Sequence, residues 1–194
     1  MNTKDAKNPV RMLLLLGDRI GANCMMGGRK LSIIDKFKRF GWELTLAGIE
    51  TAVAPCPFAA KRGAETMTLD CTVDAIDDLL VYDGVSVLPG TSHRGLIGSE
   101  KAMSLVRDAH ANGMVVSGWC RGVLVLAEAG VLQGKRVVGH ADHREAIEKA
   151  GGIFVGQDHP PIIDGNVVTG ARSYHYRVQN AEAIRQAVVA RHTG

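Results

Sequence analysis

The chain has 194 residues, of which 46% are hydrophobic and 22% are charged, the values of an ordinary globular protein that can bury a core. Its 23 basic and 20 acidic side chains leave a formal net charge of +3, and no basic run concentrates that charge. Neither nucleic acid nor a membrane surface is therefore expected as a partner. The apolar run at 12–16 is too short to cross a bilayer and no signal-peptide pattern precedes it, so we expect a cytoplasmic protein.

Strand and helix patterns alternate along most of the chain. Strands are predicted at 10–16, 43–47, 85–88, 114–117, 136–139 and 152–155, and an Asp-Gly turn at 164–166 joins 162–163 to 167–168 in a hairpin. Helices are predicted at 30–40, 73–80, 99–111, 123–129, 143–150 and 181–190. The segment 51–72 is interrupted by prolines, and we expect one or two short strands there.

This alternation predicts an α/β fold with a doubly wound, mostly parallel sheet and helices on both of its faces. Residues 1–9 are expected to form a flexible N-terminal arm, and 10–194 a single domain. In folds of this class, ligands bind beyond the carboxyl ends of the strands. Residues that end the predicted strands are therefore the first candidates for a functional site.

The stretch from Met114 to Gly130 carries the strongest functional pattern. An apolar strand is followed by a tight corner, Gly118–Gly122, and then by an apolar helix. Glycines on both sides of Cys120 let the chain bend sharply and expose the central side chain at the sheet edge, as in a nucleophile elbow. The positive end of the helix dipole and the charge of Arg121 both favour the thiolate. We therefore predict that Cys120 is a reactive thiol.

The other thiols and a histidine cluster offer alternative chemistry. The four cysteines have neither zinc-site nor disulfide-framework spacing, so reduced thiols are expected. Cys24, on the glycine-rich loop after the first strand, is either a partly buried spectator or a resolving thiol for Cys120. His140, Asp142 and His143 have the chemistry of zinc ligands, but a base at position 140 followed by helix-start residues is the favoured interpretation. No metal and no cofactor are predicted.

With this corner in place, the chain resembles the ThiJ/PfpI superfamily. The resemblance rests on the strand that ends in Leu88-Pro89-Gly90, on AGVLQGKRV after the elbow helix, and on the hairpin IIDGNVVTG. It extends from about Val10 to the closing helix. The superfamily includes glyoxalase-type enzymes, isocyanide hydratases and intracellular cysteine peptidases. The resemblance implies a flavodoxin-like three-layer sandwich of the class I glutamine amidotransferase-like type, and a homodimer.

The resemblance also implies roles for individual residues. The nucleophile of the family falls on Cys120. Its oxyanion hole comes from backbone N–H groups at Gly90 or Thr91 and at Arg121, as addition to a carbonyl requires. The histidine that many members place after the elbow helix falls on His140.

Two positions depart from the family pattern. Arg29 stands where most members have a glutamate that contacts the cysteine sulfur, and Asp18 at the end of the first strand is the best substitute. Arg121 stands where the peptidase branch has a histidine. The histidine that usually acts as the base in that branch is therefore absent at this position, which weakens the peptidase interpretation. A glutamine amidotransferase needs a late His-Glu pair, which is missing, although His175 keeps that alternative open. The chain is thus an atypical member of the superfamily.

Several loop residues are candidates to bind a small-molecule substrate. Arg29, His93, Arg172 and His175 are expected at the same edge as Cys120, although solvated loop charges are the commoner outcome. Our first hypothesis is an enzyme whose thiolate adds to an aldehyde, amide or isocyanide, of the glyoxalase or deglycase, hydratase or amide hydrolase type. The alternative is a non-catalytic redox sensor with an oxidisable cysteine. A peptidase or a glutamine amidotransferase is the weaker alternative.

Overall fold

The computed structural model describes residues 9–21, 24, 32–172 and 175–193. The strands in these residues are β1 (Arg11–Leu15), β2 (Arg19–Ile20), β3 (Glu43–Gly48), β4 (Ala52–Pro55), β5 (Met67–Thr68), β6 (Cys71–Thr72), β7 (Gly84–Val87), β8 (Gly90–Ser92), β9 (Val115–Trp119), β10 (Arg136–Val138), β11 (Ile153–Gly156), β12 (Ile162–Asp164) and β13 (Val167–Gly170).

The helices are α1 (Ile33–Arg39), α2 (Pro57–Ala60), α3 (Arg94–Gly98), α4 (Glu100–Ala111), α5 (Gly122–Glu128), α6 (Arg144–Lys149) and α7 (Arg177–Thr193). Two turns of 3-10 helix, Val73–Ala75 and Ala141–His143, complete the regular elements. Within the described ranges, none of the helices combines the length and the apolar character needed to cross a bilayer.

The main sheet contains seven strands in the order β12-β13-β9-β7-β1-β3-β6. Neighbouring strands run parallel, except that β12 and β13 form the antiparallel hairpin predicted around Gly165. Because β1 lies inside the sheet with helices over both faces, it is apolar and buried from Met12 to Leu15. The carboxyl ends of β7 and β9 lie side by side at one edge of this sheet.

Alternate residues of β1 enter two separate cores. Leu13 and Leu15 pack on the face that is covered by α4 and α5. Met12 and Leu14 pack on the opposite face, which is covered by α1 and α7. This three-layer arrangement confirms the predicted α/β sandwich, with a mostly parallel sheet and helices on both faces.

The start of α1 is set by a capping box. The Ser32 hydroxyl oxygen accepts the Asp35 N–H at 3.0 Å, and the Asp35 carboxylate accepts the Ser32 N–H at 3.2 Å. The helix ends shortly before Gly41, whose φ of 78° is a conformation that favours glycine. The described helix therefore starts a few residues later than the predicted range 30–40.

The prediction of a helix at 73–80 is wrong. These residues form the first 3-10 turn and then irregular chain. Val73 and Ile76 are both buried in the core, so the segment is anchored through its tertiary contacts. The Leu80 N–H also bonds to the Asp78 Oδ1 at 2.9 Å, and such local side-chain contacts compete with helical hydrogen bonds.

The helix predicted at 143–150 is present as α6, but its start differs from the expectation. A 3-10 turn precedes it, and the Asp142 N–H donates to the Nδ1 of His140. The sequence pattern places Asp142 at the helix start, where an aspartate side chain commonly caps the first turn. Because His140 supplies the acceptor, the imidazole fixes the start of this segment.

A smaller sheet lies beyond the carboxyl ends of β1 and β7. Its order is β5-β4-β2-β8, and β2 runs antiparallel to β8 with Ile20 opposite Gly90. The Gly21 N–H also donates to the carbonyl oxygen of Pro89 at 3.2 Å. These contacts hold the segment after β1 against the segment after β7, next to the edge where the site is expected.

We predict that Leu13→Ala lowers the free energy of unfolding by roughly 2–5 kcal/mol, because it leaves a cavity at a fully buried position. Urea unfolding followed by tryptophan fluorescence measures this loss. Leu80→Ala is the matched control, since Leu80 is 68% exposed, and its effect should stay within about 0.5 kcal/mol. Equal losses in the two variants would contradict the position of β1 inside the sandwich.

Candidate active site

The predicted corner is present between β9 and α5. Cys120 has a φ of 51°, in the left-handed region that side chains rarely adopt. Its N–H donates to the Gly170 carbonyl oxygen at 2.9 Å, and its own carbonyl oxygen accepts the Val123 N–H at 3.2 Å. The backbone of Cys120 is thus held by β13 on one side and by the start of the helix on the other, while its side chain is only partly buried.

The two flanking glycines let strand and helix approach closely. A Cβ on Gly118 would lie 2.8 Å from the carbonyl oxygen of Gly122. A Cβ on Gly122 would lie 2.7 Å from the carbonyl oxygen of Val87 in β7. Since real Cβ atoms do not come this close to backbone atoms, larger residues would push the corner open. The glycine pattern therefore reflects packing as well as bending.

The backbone groups that could stabilise an anion belong to Arg121 and to the segment after β7. The Arg121 N–H is close enough to the Cys120 sulfur to lower the pKa of its thiol. The parallel register of β7 against β9 extends to Val87 and Gly118, so Pro89 and Cys120 both lie two residues beyond the paired ends of neighbouring strands. Gly90 follows at once, and Thr91 after it is exposed. The segments predicted to form an oxyanion hole thus start at neighbouring strand ends.

Asp18 has a structural role in the loop after β8. Its Oδ2 accepts the Ser92 hydroxyl at 2.7 Å, and its Oδ1 accepts the Gly95 N–H at 3.0 Å. Both carboxylate oxygens are therefore engaged in holding the chain that follows Gly90. Among the described residues, no hydrogen bond joins Asp18 to the sulfur of Cys120.

His140 lies next to a second imidazole. Its Nδ1 accepts the Asp142 N–H at 3.4 Å and lies 3.3 Å from the Asp142 Oδ2, and its ring centre is 5.7 Å from that of His143. Burial, and then the charges of Arg121 and His140, lower the pKa of His143. His143 thus lies near both the nucleophile corner and His140. In the described ranges, His140 makes no hydrogen bond to Cys120, and no three His, Cys, Asp or Glu side chains are placed to hold a metal ion.

His93 was predicted as a loop residue that contacts substrate, but it is 4% exposed. Its Nε2 lies 2.9 Å from the Leu88 carbonyl oxygen, which can only accept, so this nitrogen carries the proton. A Cβ on Gly17 would lie 2.7 Å from the ring, which shows how tightly the imidazole is packed. Burial lowers the pKa of His93. The buried His93 ring therefore supports the backbone of the segment that contains Gly90.

Arg172 and His175 both follow β13 in the chain. Arg172 has a φ of 41°, and its Nε lies 2.7 Å from the Oδ1 of Asp158 in a partly exposed ion pair. The His175 N–H donates to the Arg172 carbonyl oxygen at 2.7 Å, and His175 is exposed. Both residues follow Gly170 closely in the chain. Arg29 lies outside the described residues.

The amino-acid sequence matches the sequence model of one protein family over most of its length. A sequence model of the DJ-1/PfpI family matches residues 30–184, which is most of the chain. The chain belongs to the DJ-1/PfpI family. The match includes the nucleophile corner and His140 and begins after Asp18.

Family members of other organisms share up to about a third of their aligned residues with this chain. It is 32% identical over 127 residues to the uncharacterized protein MJ0967 of Methanocaldococcus jannaschii, covering 64% of this chain and 58% of that one. It is 34% identical over 94 residues to isonitrile hydratase of Pseudomonas putida, covering 48% and 40%. It is 28% identical over 138 residues to deglycase PfpI of Pyrococcus furiosus, covering 69% and 76%. The chain thus spans less than two thirds of the first two of these relatives.

A solved structure of the family has the same fold. The ThiJ/PfpI domain protein from Brachyspira murdochii has a TM-score of 0.77 to this chain and covers 94% of this chain and 99% of its own. The two sequences are 14% identical, so the comparison concerns the fold alone. It agrees with the flavodoxin-like sandwich that the resemblance implied.

The sequence pattern indicates no role for Asn180, and it indicates His143 only as a zinc ligand or a helix-start residue, although both side chains are buried. His143 is 6% exposed, and its spacing of three from His140 is the signal that places both imidazoles on one turn. Asn180 of α7 is fully buried against Gly170, where a Cβ would collide with its Oδ1. Asn180 therefore supports the strand that binds the Cys120 N–H, a contact that no local sequence pattern announces.

Burial raises the pKa of the Cys120 thiol, and it outweighs the Arg121 N–H and guanidinium, which lower that pKa. This direction is opposite to the stabilisation of the thiolate that the sequence pattern predicts. The reason is that the half-buried sulfur loses more hydration than the two neighbouring positive groups replace. A reaction at this sulfur must remove the thiol proton as well as form a bond.

We predict that alkylation of Cys120 by iodoacetamide has an apparent pKa above the value of about 8.5 for a free cysteine. Arg121→Gln should raise the pKa further, because it removes a positive charge and keeps the backbone N–H. Peptide mass spectrometry over a pH series measures the rate at this one thiol. Arg136→Gln, an exposed charge that is not among the causes of the shift, is the control. A pKa below that of a free cysteine, or no response to Arg121→Gln, would contradict this account.

Proposed function

We propose that this protein is a cysteine-dependent enzyme in which the Cys120 sulfur adds to an electrophilic carbon of a small substrate. The observation that carries the proposal is the left-handed backbone at Cys120, which presents a partly exposed sulfur beside the Arg121 N–H. The relatives named deglycase and isonitrile hydratase support a substrate with an aldehyde, amide or isocyanide carbon. A glyoxalase or deglycase, a hydratase and an amide hydrolase are the reaction types that fit.

In the proposed reaction, the thiol proton leaves as the sulfur–carbon bond forms. The electron pair displaced from the carbon–oxygen or carbon–nitrogen bond gives an anion, which the N–H groups of Arg121 and of Gly90 or Thr91 stabilise. We assign the proton to His140, the family position for this role, with buried His143 beside it as a positioning residue. Asp18, the other proposed proton carrier, has both oxygens engaged with the loop, which favours His140.

The surroundings of the reaction are proposals as well. We propose that 10–194 form one domain that acts in the cytoplasm on a small molecule without a cofactor, and that Arg172 and His175 contact the substrate from the turn after β13. We also propose a homodimer. The resemblance to the ThiJ/PfpI superfamily supports this proposal.

A redox sensor is the second candidate function. In the enzymatic relatives that the chain resembles, a carboxyl group contacts the cysteine sulfur. Among the described residues, no carboxylate hydrogen-bonds to Cys120, and Asp18 is occupied elsewhere. A thiol of this kind can be oxidised by peroxide without turning over a carbon substrate.

We predict that Cys120→Ala lowers turnover of a glyoxal, a primary amide or an isocyanide by roughly 100-fold or more, because the nucleophile acts as a unit with its surroundings. Steady-state assays with these three substrates identify the one that the wild type consumes. Cys71→Ala is the matched control, since Cys71 lies in β6 at the far edge of the sheet, and it should keep wild-type rates. Unchanged turnover in Cys120→Ala would refute the enzyme, and a wild type inert to all three substrates would favour the sensor.

A further inference from the structure

The Cys24 thiol hydrogen-bonds to the backbone carbonyl oxygen of Pro89, near the sheet edge that carries Cys120. Its sulfur donates to the Pro89 carbonyl oxygen at 3.3 Å, and Cys24 is 1% exposed. The Gly21 N–H donates to the same oxygen at 3.2 Å, and the Cys24 N–H donates to the Gly21 carbonyl oxygen at 3.0 Å. Cys24 is therefore fixed against the end of β7 by two independent contacts.

This position lies at the sheet edge that carries Cys120. β7 and β9 are paired in parallel as far as Val87 and Gly118, so Pro89 and Cys120 each lie two residues beyond the paired ends of neighbouring strands. Burial is the main cause that raises the pKa of Cys24, and the charges of the Cys120 and Cys56 thiolates raise it further, as expected for thiols in one region of the fold. The thiols thus form a row that runs from the corner through Cys24 to Cys56.

Access to solvent differs along this row. Cys120 is partly exposed, whereas Cys24 and Cys56 are 1% and 3% exposed. A small oxidant from solvent therefore meets Cys120 first. The oxidised sulfur then has a reduced thiol beside it, inside the protein and shielded from other thiols.

We propose that Cys24 is the resolving thiol of Cys120, so that a hydroperoxide converts the two cysteines into an intramolecular disulfide. The Cys120 thiolate attacks a peroxide oxygen, the O–O bond breaks, and the sulfur becomes a sulfenic acid while an alcohol or water leaves. The Cys24 sulfur then attacks the Cys120 sulfur, the S–O bond breaks, and water leaves with the Cys24 proton. Two thiols and one hydroperoxide thus give one disulfide, one water and one alcohol or second water.

Oxidation of Cys120 makes the subsequent attack by the Cys24 sulfur easier. Burial raises the pKa of Cys24 well above its usual range, and the thiolate form of Cys120 that attacks the peroxide raises it further, so Cys24 stays protonated until Cys120 is oxidised. Since a sulfenic acid is neutral, oxidation of Cys120 removes that neighbouring charge. Burial still favours the protonated Cys24, so the disulfide should form faster as the pH rises. The proposal requires an accessible Cys120 sulfur but no turnover of a carbon substrate, so it stands independently of the enzyme hypothesis.

Tryptic mass mapping of the full-length protein after one equivalent of hydrogen peroxide tests the proposal. The four cysteines fall on four different tryptic peptides, 20–29, 40–61, 63–94 and 108–121. Without reductant, the wild type should lose two hydrogens and yield the linked peptides 20–29 and 108–121, and dithiothreitol should separate them. Cys24→Ser should abolish the link and leave added oxygen on Cys120.

Two variants serve as controls for this experiment. Cys71→Ser removes a distant thiol, and Cys56→Ser removes the third thiol of the row, and both should keep the link between 20–29 and 108–121. A wild type that gains oxygen on Cys120 and forms no disulfide would overturn the proposal. So would a disulfide that joins Cys120 to peptide 40–61. The wild-type map decides between these outcomes even if Cys24→Ser fails to fold.

Discussion

The left-handed backbone at Cys120 is the constraint on which the site depends. A side chain in this conformation costs about 1–2 kcal/mol relative to glycine, so the surrounding structure must enforce it. It does so through the hydrogen bond from the Cys120 N–H to Gly170 and through the close approach of Gly118 and Gly122. These contacts rest in turn on the parallel pairing of β9 with β7 and β13. The two cores of the sandwich therefore hold one sulfur at the sheet edge.

The chemistry of that sulfur follows from a balance between hydration and charge. Burial raises the pKa of Cys120, and the Arg121 N–H and guanidinium only partly oppose it. Removal of the thiol proton is thus part of any reaction of this sulfur with a substrate or peroxide. This sulfur has two sets of neighbours in our proposals. His140, with His143 beside it, takes the thiol proton, and the Cys24 thiol attacks the sulfur after it has been oxidised.

Local patterns were sufficient for the corner and for much of the sandwich. Glycines two residues before and after Cys120, between an apolar strand and an apolar helix, can be recognised without any tertiary information. The same holds for the hairpin around Gly165, because an Asp-Gly turn sets its own geometry. The failures depend on distant contacts. His93 is buried by residues far away in the chain, and the carboxylate of Asp18 is bound by the loop after β8.

The most direct test of the central claim compares the unfolding free energies of Cys120→Gly and Cys120→Ala, neither of which has a thiol. If the fold enforces a left-handed backbone here, Cys120→Gly should be the more stable variant by about 1 kcal/mol, since glycine adopts this conformation without strain. At an unstrained position the order is reversed, because glycine loses roughly 0.5–1 kcal/mol to backbone entropy. A Cys120→Ala variant as stable as Cys120→Gly, or more stable, would contradict the strained corner and the site built upon it.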